Sequence, residues 1–210
     1  MPVIPWIESK TFIRSQTEFS GGGGVCGSRI LVSNFDETQF KQGETNACYD
    51  LRVGARYRDH RKSDVFAVGD AFTLVAGSAV IVETEEEFHF PQTRFGYVVP
   101  KVGMLQQGVS NTMSKVDPGY HGPLLITIFN LGKKDIPIKR LQRICALVVH
   151  DVGEGSIPYD QPAKQLPGRA PWKLRPGPWF DRLQQRSALI GLLALVVSII
   201  ALLLRILDSR

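Results

Sequence analysis

A run of 18 residues without a charge, SALIGLLALVVSIIALLL at 187–204, is the strongest constraint on what this chain can become. As a helix rising about 1.5 Å per residue it would be about 27 Å long, close to the roughly 30 Å hydrocarbon core of a bilayer. It is apolar on every face, whereas a helix buried in a soluble bundle usually keeps a polar stripe. The run is therefore read as a membrane anchor, with the helix assigned to 187–207. Trp172, Lys173, Arg175, Trp179, Phe180, Arg182 and Arg186 precede it, and only Arg205, Asp208 and Arg210 follow as charges. Basic residues favour the cytoplasmic side and aromatic rings the interface. The expectation is a single-pass protein of the cell membrane with its N-terminal domain in the cytoplasm. The first residues lack the basic start and apolar run of a secretory signal, which fits a cytosolic start.

The same tail accounts for the charge of the chain. Residues 160–210 hold eight of the 25 Lys and Arg and three of the 20 Asp and Glu, so the whole formal net charge of +5 lies there and the first 159 residues are neutral. No nucleic-acid partner is expected from that distribution. Basic residues just before an apolar span suit anionic headgroups instead. Residues 161–186 form a proline-rich, basic juxtamembrane linker. Three cysteines, Cys26, Cys48 and Cys145, show no C-x-x-C spacing, which suggests neither a disulfide framework nor a zinc knuckle and fits a reducing compartment. His60, His89, His121 and His150 are scattered, and no metal site is expected from them.

Residues 30–160 read as the folded domain. Short β-branched or aromatic runs at 72–75, 79–82, 97–99, 124–129 and 144–149 are separated by turn signals such as Ala76-Gly77 and Asp117-Pro118-Gly119. This pattern predicts a mainly β domain in which helices are minor. Residues 1–29 form an N-terminal extension whose four glycines, 21–24, lack the Lys and Ser/Thr context of a phosphate-binding loop. Glu85, Glu86 and Glu87 read as a solvated turn.

One segment carries more: Val116-Asp117-Pro118-Gly119-Tyr120-His121-Gly122, then an apolar strand, then Asn130-Leu131-Gly132. On its own, Asp-Pro-Gly is simply a tight turn. With its surroundings the segment resembles the turn-bearing hairpin of the dCTP deaminase and dUTPase superfamily. Four further blocks are similar to that family in the same order. They are Tyr49-Asp50-Leu51-Arg52 with Gly54, the run from Gly69 through Thr84 to Pro91, Pro100-Lys101-Val102-Gly103, and Arg143-Ile144-Cys145-Ala146-Leu147-Val148.

The resemblance implies a distorted β-barrel of the dUTPase-like type, here followed by one C-terminal transmembrane α-helix, and a homotrimer with active sites between subunits. It implies a deoxypyrimidine nucleotide as ligand, with Mg²⁺ on its triphosphate. Asp117 becomes the candidate catalytic base and Tyr120 the platform under the deoxyribose. Lys101, Gly103, Gln106 and Arg143 become candidate nucleotide-binding residues, although for Lys101 and Arg143 a plain solvated surface role stays open. Tyr49, Asp50, Pro118, Gly119 and Gly122 carry the motifs. The chain also departs from the family. Thr127 stands where the deaminases carry the Glu that activates water, and a hydroxyl cannot serve as that base. Val102 replaces a Ser at the phosphate chain, Ala146 replaces a Gln, and a Gly-rich C-terminal lid is not seen at 153–178. Three readings stay open: a membrane-tethered dUTP diphosphatase or dCTP deaminase family hydrolase in which deamination is not expected, a catalytically degenerate nucleotide sensor or effector signalling to its membrane helices, and a trimeric structural scaffold at the membrane.

Overall fold

The structure is a computed structural model and describes residues 2–8, 10–14, 28–40, 46–152, 157–162, 164 and 166 of the 210. The chain divides into two units, Met1–Arg169 and Ala170–Arg210, and every described residue belongs to the first. The expected anchor at 187–207, most of the linker at 161–186 and the glycines at 21–24 lie outside the described residues. Among the described residues no helix is long and apolar enough to cross a membrane.

Strands dominate, as the short β-branched runs predict. In chain order they are β1 (Phe12–Ile13), β2 (Ile30–Ser33), β3 (Cys48–Asp59), β4 (Phe66–Ala67), β5 (Ala71–Leu74), β6 (Ala79–His89) and β7 (Arg94–Pro100). After the short helix α1 (Val102–Gln106) come β8 (Val109–Asn111), β9 (Ser114–Val116), β10 (His121–Asn130), β11 (Ile136–Lys139) and β12 (Arg143–Asp151). Alternation is clear in β10, where Leu124, Ile126, Ile128 and Asn130 are buried and the residues between them are half-buried. One hydrophobic cluster joins Leu51, Val98 and Leu147 to Val82, Ile126 and Ile128. Described residues of the N-terminal stretch belong to the same core. Trp6 is 1% exposed, its indole N–H donates to Leu147 O at 3.2 Å, and its ring lies 5.2 Å from that of Tyr49.

The expected distorted β-barrel is not closed among the described residues. The main path runs β1-β2-β6-β3-β12-β7-β9, with β10 branching from β6 and carrying β8, while β5 and β11 pair separately. Closure would need β8 to pair with β9. These two three-residue strands instead take different partners, β8 pairing with β10 and β9 with β7. The sheet therefore stays open.

Strand β6 is the hinge of this branching. Its first half, Val80 to Thr84, pairs with β3, its last residues, Glu87 to His89, pair with β2, and β10 follows its other edge. Where β3 leaves and β2 begins, the backbone ladder is interrupted and Glu86 fills the gap. Contrary to the expectation of a solvated turn, Glu85, Glu86 and Glu87 lie within β6, and the Glu86 side chain is fully buried. It accepts from Tyr49 OH at 3.0 Å, from Arg52 N–H at 3.0 Å and from Arg52 Nε at 2.7 Å. Arg52 also donates to Asn34 O, just beyond β2, so one guanidinium spans the fork. Burial pushes the Glu86 carboxyl above its usual range, and the Arg52 guanidinium and N–H act against that push. Gly54 is required at the same crossing. A Cβ there would meet Glu83 O at 2.6 Å and Thr84 O at 2.7 Å, both backbone atoms that cannot swing aside.

Two substitutions test the fork by urea unfolding. Glu86→Gln leaves the Arg52 charge without its counter-charge and is expected to cost about 3 kcal/mol or more. Gly54→Ala is expected to cost about 3 kcal/mol through overpacking against the β6 backbone. A loss below about 1 kcal/mol in either would mean that the crossing is held by other contacts.

Candidate functional site

The Asp117–Tyr120 turn is built by its own residue types. Pro118 fixes φ at the second position, Gly119 supplies φ +80 at the third, and Tyr120 N–H donates to Asp117 O at 3.1 Å, a type II arrangement. Neighbours hold it from two sides. Phe90 N–H donates to Tyr120 O at 2.8 Å beyond the end of β6, and Tyr159 N–H donates to Pro118 O at 2.7 Å.

This turn lines a cavity of about 400 Å³ whose walls include Lys115, Asp117, Tyr120, Leu124, Tyr159 and Lys164. The Asp117 carboxylate forms an ion pair with Lys115 Nζ at 2.8 Å. Tyr120 is 6% exposed, and its hydroxyl donates to Pro123 O. Its ring centroid lies 5.4 Å from that of Tyr159. Burial, then the neighbouring Tyr159 and Glu83, pushes the Tyr120 phenol up to about 12, so the ring is neutral in ordinary buffers.

The expected phosphate-binding residues do not line that cavity. Lys101, at the start of α1, is paired with Asp50, and Arg143, at the start of β12, donates to Asp36 Oδ2 and Thr38 Oγ1, both at 2.8 Å. Gly103 and Gln106 lie on α1. Asp36 sits at the start of the 3-10 turn Glu37–Gln39. Burial acts to raise its carboxyl, but hydrogen bonds from Thr38, Arg143 and Gln39 outweigh burial and bring it down to about 2. Tyr49 and Asp50 both serve this second cluster. The Tyr49 hydroxyl accepts from Asp36 N–H at 2.8 Å, and the Asp50 backbone exchanges two hydrogen bonds with the Gln39 amide. One chain therefore brings Asp117 and Tyr120 together and holds Lys101 and Arg143 in a separate group.

Thr127 lies on β10 opposite Ile81, half-buried on the same side as Leu125, which also lines the cavity. Tyr159 and Lys164 were missed by sequence reasoning. They stand in an irregular, proline-bearing segment where neither periodicity nor a turn motif marks them; the aromatic beside Pro158 is the one available signal.

Comparison with known proteins gives a consistent picture. The family model described as dCTP deaminase-like matches residues 25–152. The deoxyuridine 5'-triphosphate nucleotidohydrolase of Candida glabrata is 29% identical over 90 residues, which are 42% of this chain and 62% of that protein. The dCTP deaminase of Thermococcus kodakarensis is 26% identical over 132 residues, 62% of this chain and 82% of that protein. Among solved structures, the 2'-deoxycytidine 5'-triphosphate deaminase from Agrobacterium tumefaciens superposes with a TM-score of 0.50 at 19% identity, covering 59% of this chain and 44% of that one. That likeness shows the shared, mainly β fold. The chain spans less than two thirds of the length of the Candida and Agrobacterium proteins.

The lowered Asp36 carboxyl makes a pH prediction. Its folded value of about 2 lies below the ordinary 3.8, so its stabilisation is present above pH 3.8 and is lost as pH falls toward 2. Asp36→Asn is expected to remove roughly 2 kcal/mol at pH 6 and to flatten the acid limb of stability between those values. Urea unfolding of both forms at pH 6 and pH 3 checks it; equal acid limbs would refute it.

Proposed function

The chain belongs to the dCTP deaminase-like family, and from that premise we propose that it binds a deoxypyrimidine nucleoside triphosphate at the Asp117–Tyr120 turn and hydrolyses its phosphate chain. The observation that carries this reading is the pairing of one carboxylate and one aromatic ring on the wall of a cavity of about 400 Å³, within the size range of small-ligand sites. Tyr120 offers a flat, neutral surface for the deoxyribose. Asp117 offers an acceptor for the proton of an attacking water, and Lys115 fixes that carboxylate's position. Thr127 supplies a hydroxyl where deamination needs a carboxylate, which favours phosphate-chain hydrolysis.

Mg²⁺ enters this proposal with the nucleotide. Among the described residues no group of three or more His, Cys, Asp and Glu could hold an ion, so the triphosphate oxygens would carry it, with Asp117 as the acid on the cavity wall. Bound there, the ion would neutralise phosphate charge. The separation of Lys101 and Arg143 from the cavity supports a homotrimer in which a neighbouring subunit completes the site. The charge-free run at 187–204 and the basic residues before it support a single-pass anchor in the cell membrane with this domain on the cytoplasmic side.

A second reading keeps the binding and drops the chemistry. Lys101 and Arg143 are each held by a carboxylate of their own chain, and Val102 stands where the phosphate-contacting Ser would be. The domain would then be a nucleotide sensor or effector acting on its membrane helices.

Calorimetric titration of the full chain in detergent with dUTP and dCTP, followed by product analysis, separates these readings. Hydrolysis predicts release of pyrophosphate, with Asp117→Asn losing about a thousandfold in turnover while binding changes little. Binding without any product selects the sensor, and absence of binding removes both.

A further inference from the structure

The histidines are scattered in sequence, yet the fold sets two of them face to face. His89 closes β6 and His121 opens β10, and the two are direct partners in the antiparallel ladder. The next pair along, Phe90 and Tyr120, carries the hydrogen bond from Phe90 N–H to Tyr120 O at 2.8 Å. His89 and His121 therefore occupy a non-hydrogen-bonded pair, where facing side chains stand closest. Their ring centres are 6.0 Å apart and their planes 30° from parallel.

That spacing suits one shared ion. A divalent transition metal sits about 2.1 Å from an imidazole nitrogen, hence about 3.2 Å from the ring centre, and can join rings whose centres are up to about 6.4 Å apart. The pair at 6.0 Å lies within this limit. Burial, then the neighbouring His121, pushes the His89 imidazole below its ordinary range, with Glu87 acting the other way, so the ring is neutral at pH 7 and offers a lone pair. The other two histidines lie elsewhere: His60 Nδ1 is 2.7 Å from Ala79 O, and His150 packs edge-on against Tyr97.

We propose that His89 and His121 together bind one divalent transition-metal ion of the kind that imidazole suits. Among the described residues no third His, Cys, Asp or Glu joins them, so water fills the other coordination positions and the site is open. Neither histidine lines the cavity beside Asp117 and Tyr120. From outside it the ion would clasp the end of β6 to the start of β10, one residue from Tyr120, and so brace the Asp117–Tyr120 turn. This inference does not depend on what the cavity binds.

The test is calorimetry of the full chain in detergent with NiCl₂, because imidazole suits nickel whereas thiolates favour Cu(I) and zinc, which limits interference from the three cysteines. The wild type is expected to take up one ion at this pair. His89→Ala and His121→Ala should each weaken that uptake about tenfold or more, since losing even a residue that only orients a ligand costs about 10- to 100-fold. His60→Ala, at an exposed histidine away from the pair, should leave it unchanged. Saturating NiCl₂ should raise the melting temperature of the wild type and of neither pair variant. His121 is exposed, so His121→Ala keeps the comparison valid if His89→Ala does not fold. Two ions on the wild type, falling to one in each single variant, would mean separate sites and overturn the shared ion. Affinity unaltered by His121→Ala, or no uptake by the wild type, would overturn the proposal outright.

Discussion

The fold depends on a fully buried carboxylate at the point where one strand changes partners. Glu86 stands where β6 exchanges β3 for β2, and a backbone ladder cannot satisfy every polar group across such a fork. The Tyr49 hydroxyl, the Arg52 N–H and the Arg52 guanidinium do so through the Glu86 side chain. A charge without partners at this depth would cost several kcal/mol, so its three donors are a condition for this topology. Gly54 meets the complementary demand. The polar groups at the fork need partners, and the β3 backbone beside β6 leaves no room for a side chain.

From this fork hydrogen bonds lead to both groups of candidate site residues. Thr84, two residues before Glu86, donates through Oγ1 to Glu86 O and accepts from Leu124 N–H at 2.9 Å. Leu124 lies four residues beyond Tyr120, so the fork is linked to the strand that carries the turn. On the other side, Tyr49 bonds Glu86 and also accepts from Asp36 N–H, which holds the carboxylate that pairs with Arg143. The four residues Tyr49-Asp50-Leu51-Arg52 thus divide their work. Tyr49 and Arg52 hold Glu86, Asp50 holds Lys101, and Leu51 packs in the core.

How much of this was legible in sequence follows from how local each signal is. Strands with alternating apolar residues, such as β10, were readable because period-2 burial leaves a period-2 pattern. The end of β6 was not. Val82, Glu83 and Thr84 are buried in succession and three glutamates follow, a composition that ordinarily means solvent. The open sheet was also beyond reach, because it turns on which partners two three-residue strands select. In the site, Pro118 and Gly119 announced their turn by φ preference alone. The partners of Lys101 and Arg143 lie 51 and 107 residues away, a separation that no spacing rule covers. Tyr159 and Lys164 reach the cavity on irregular backbone, where side-chain direction has no sequence period.

The charge of the domain bears on the proposed binding of a nucleotide. With the first 159 residues neutral, no broad positive field draws an anion toward the cavity. The proposed recognition of a polyanionic nucleotide would then depend on individual cations, and Lys101, Lys115 and Arg143 are each tied to a carboxylate of the same chain. A phosphate arriving at any of these must compete with a carboxylate already in place, which penalises binding and favours ligands able to displace the resident pair. Such exchange is compatible with selective binding by a neutral domain, because the resident carboxylates reject weaker anions that a bare cluster of Lys and Arg would accept.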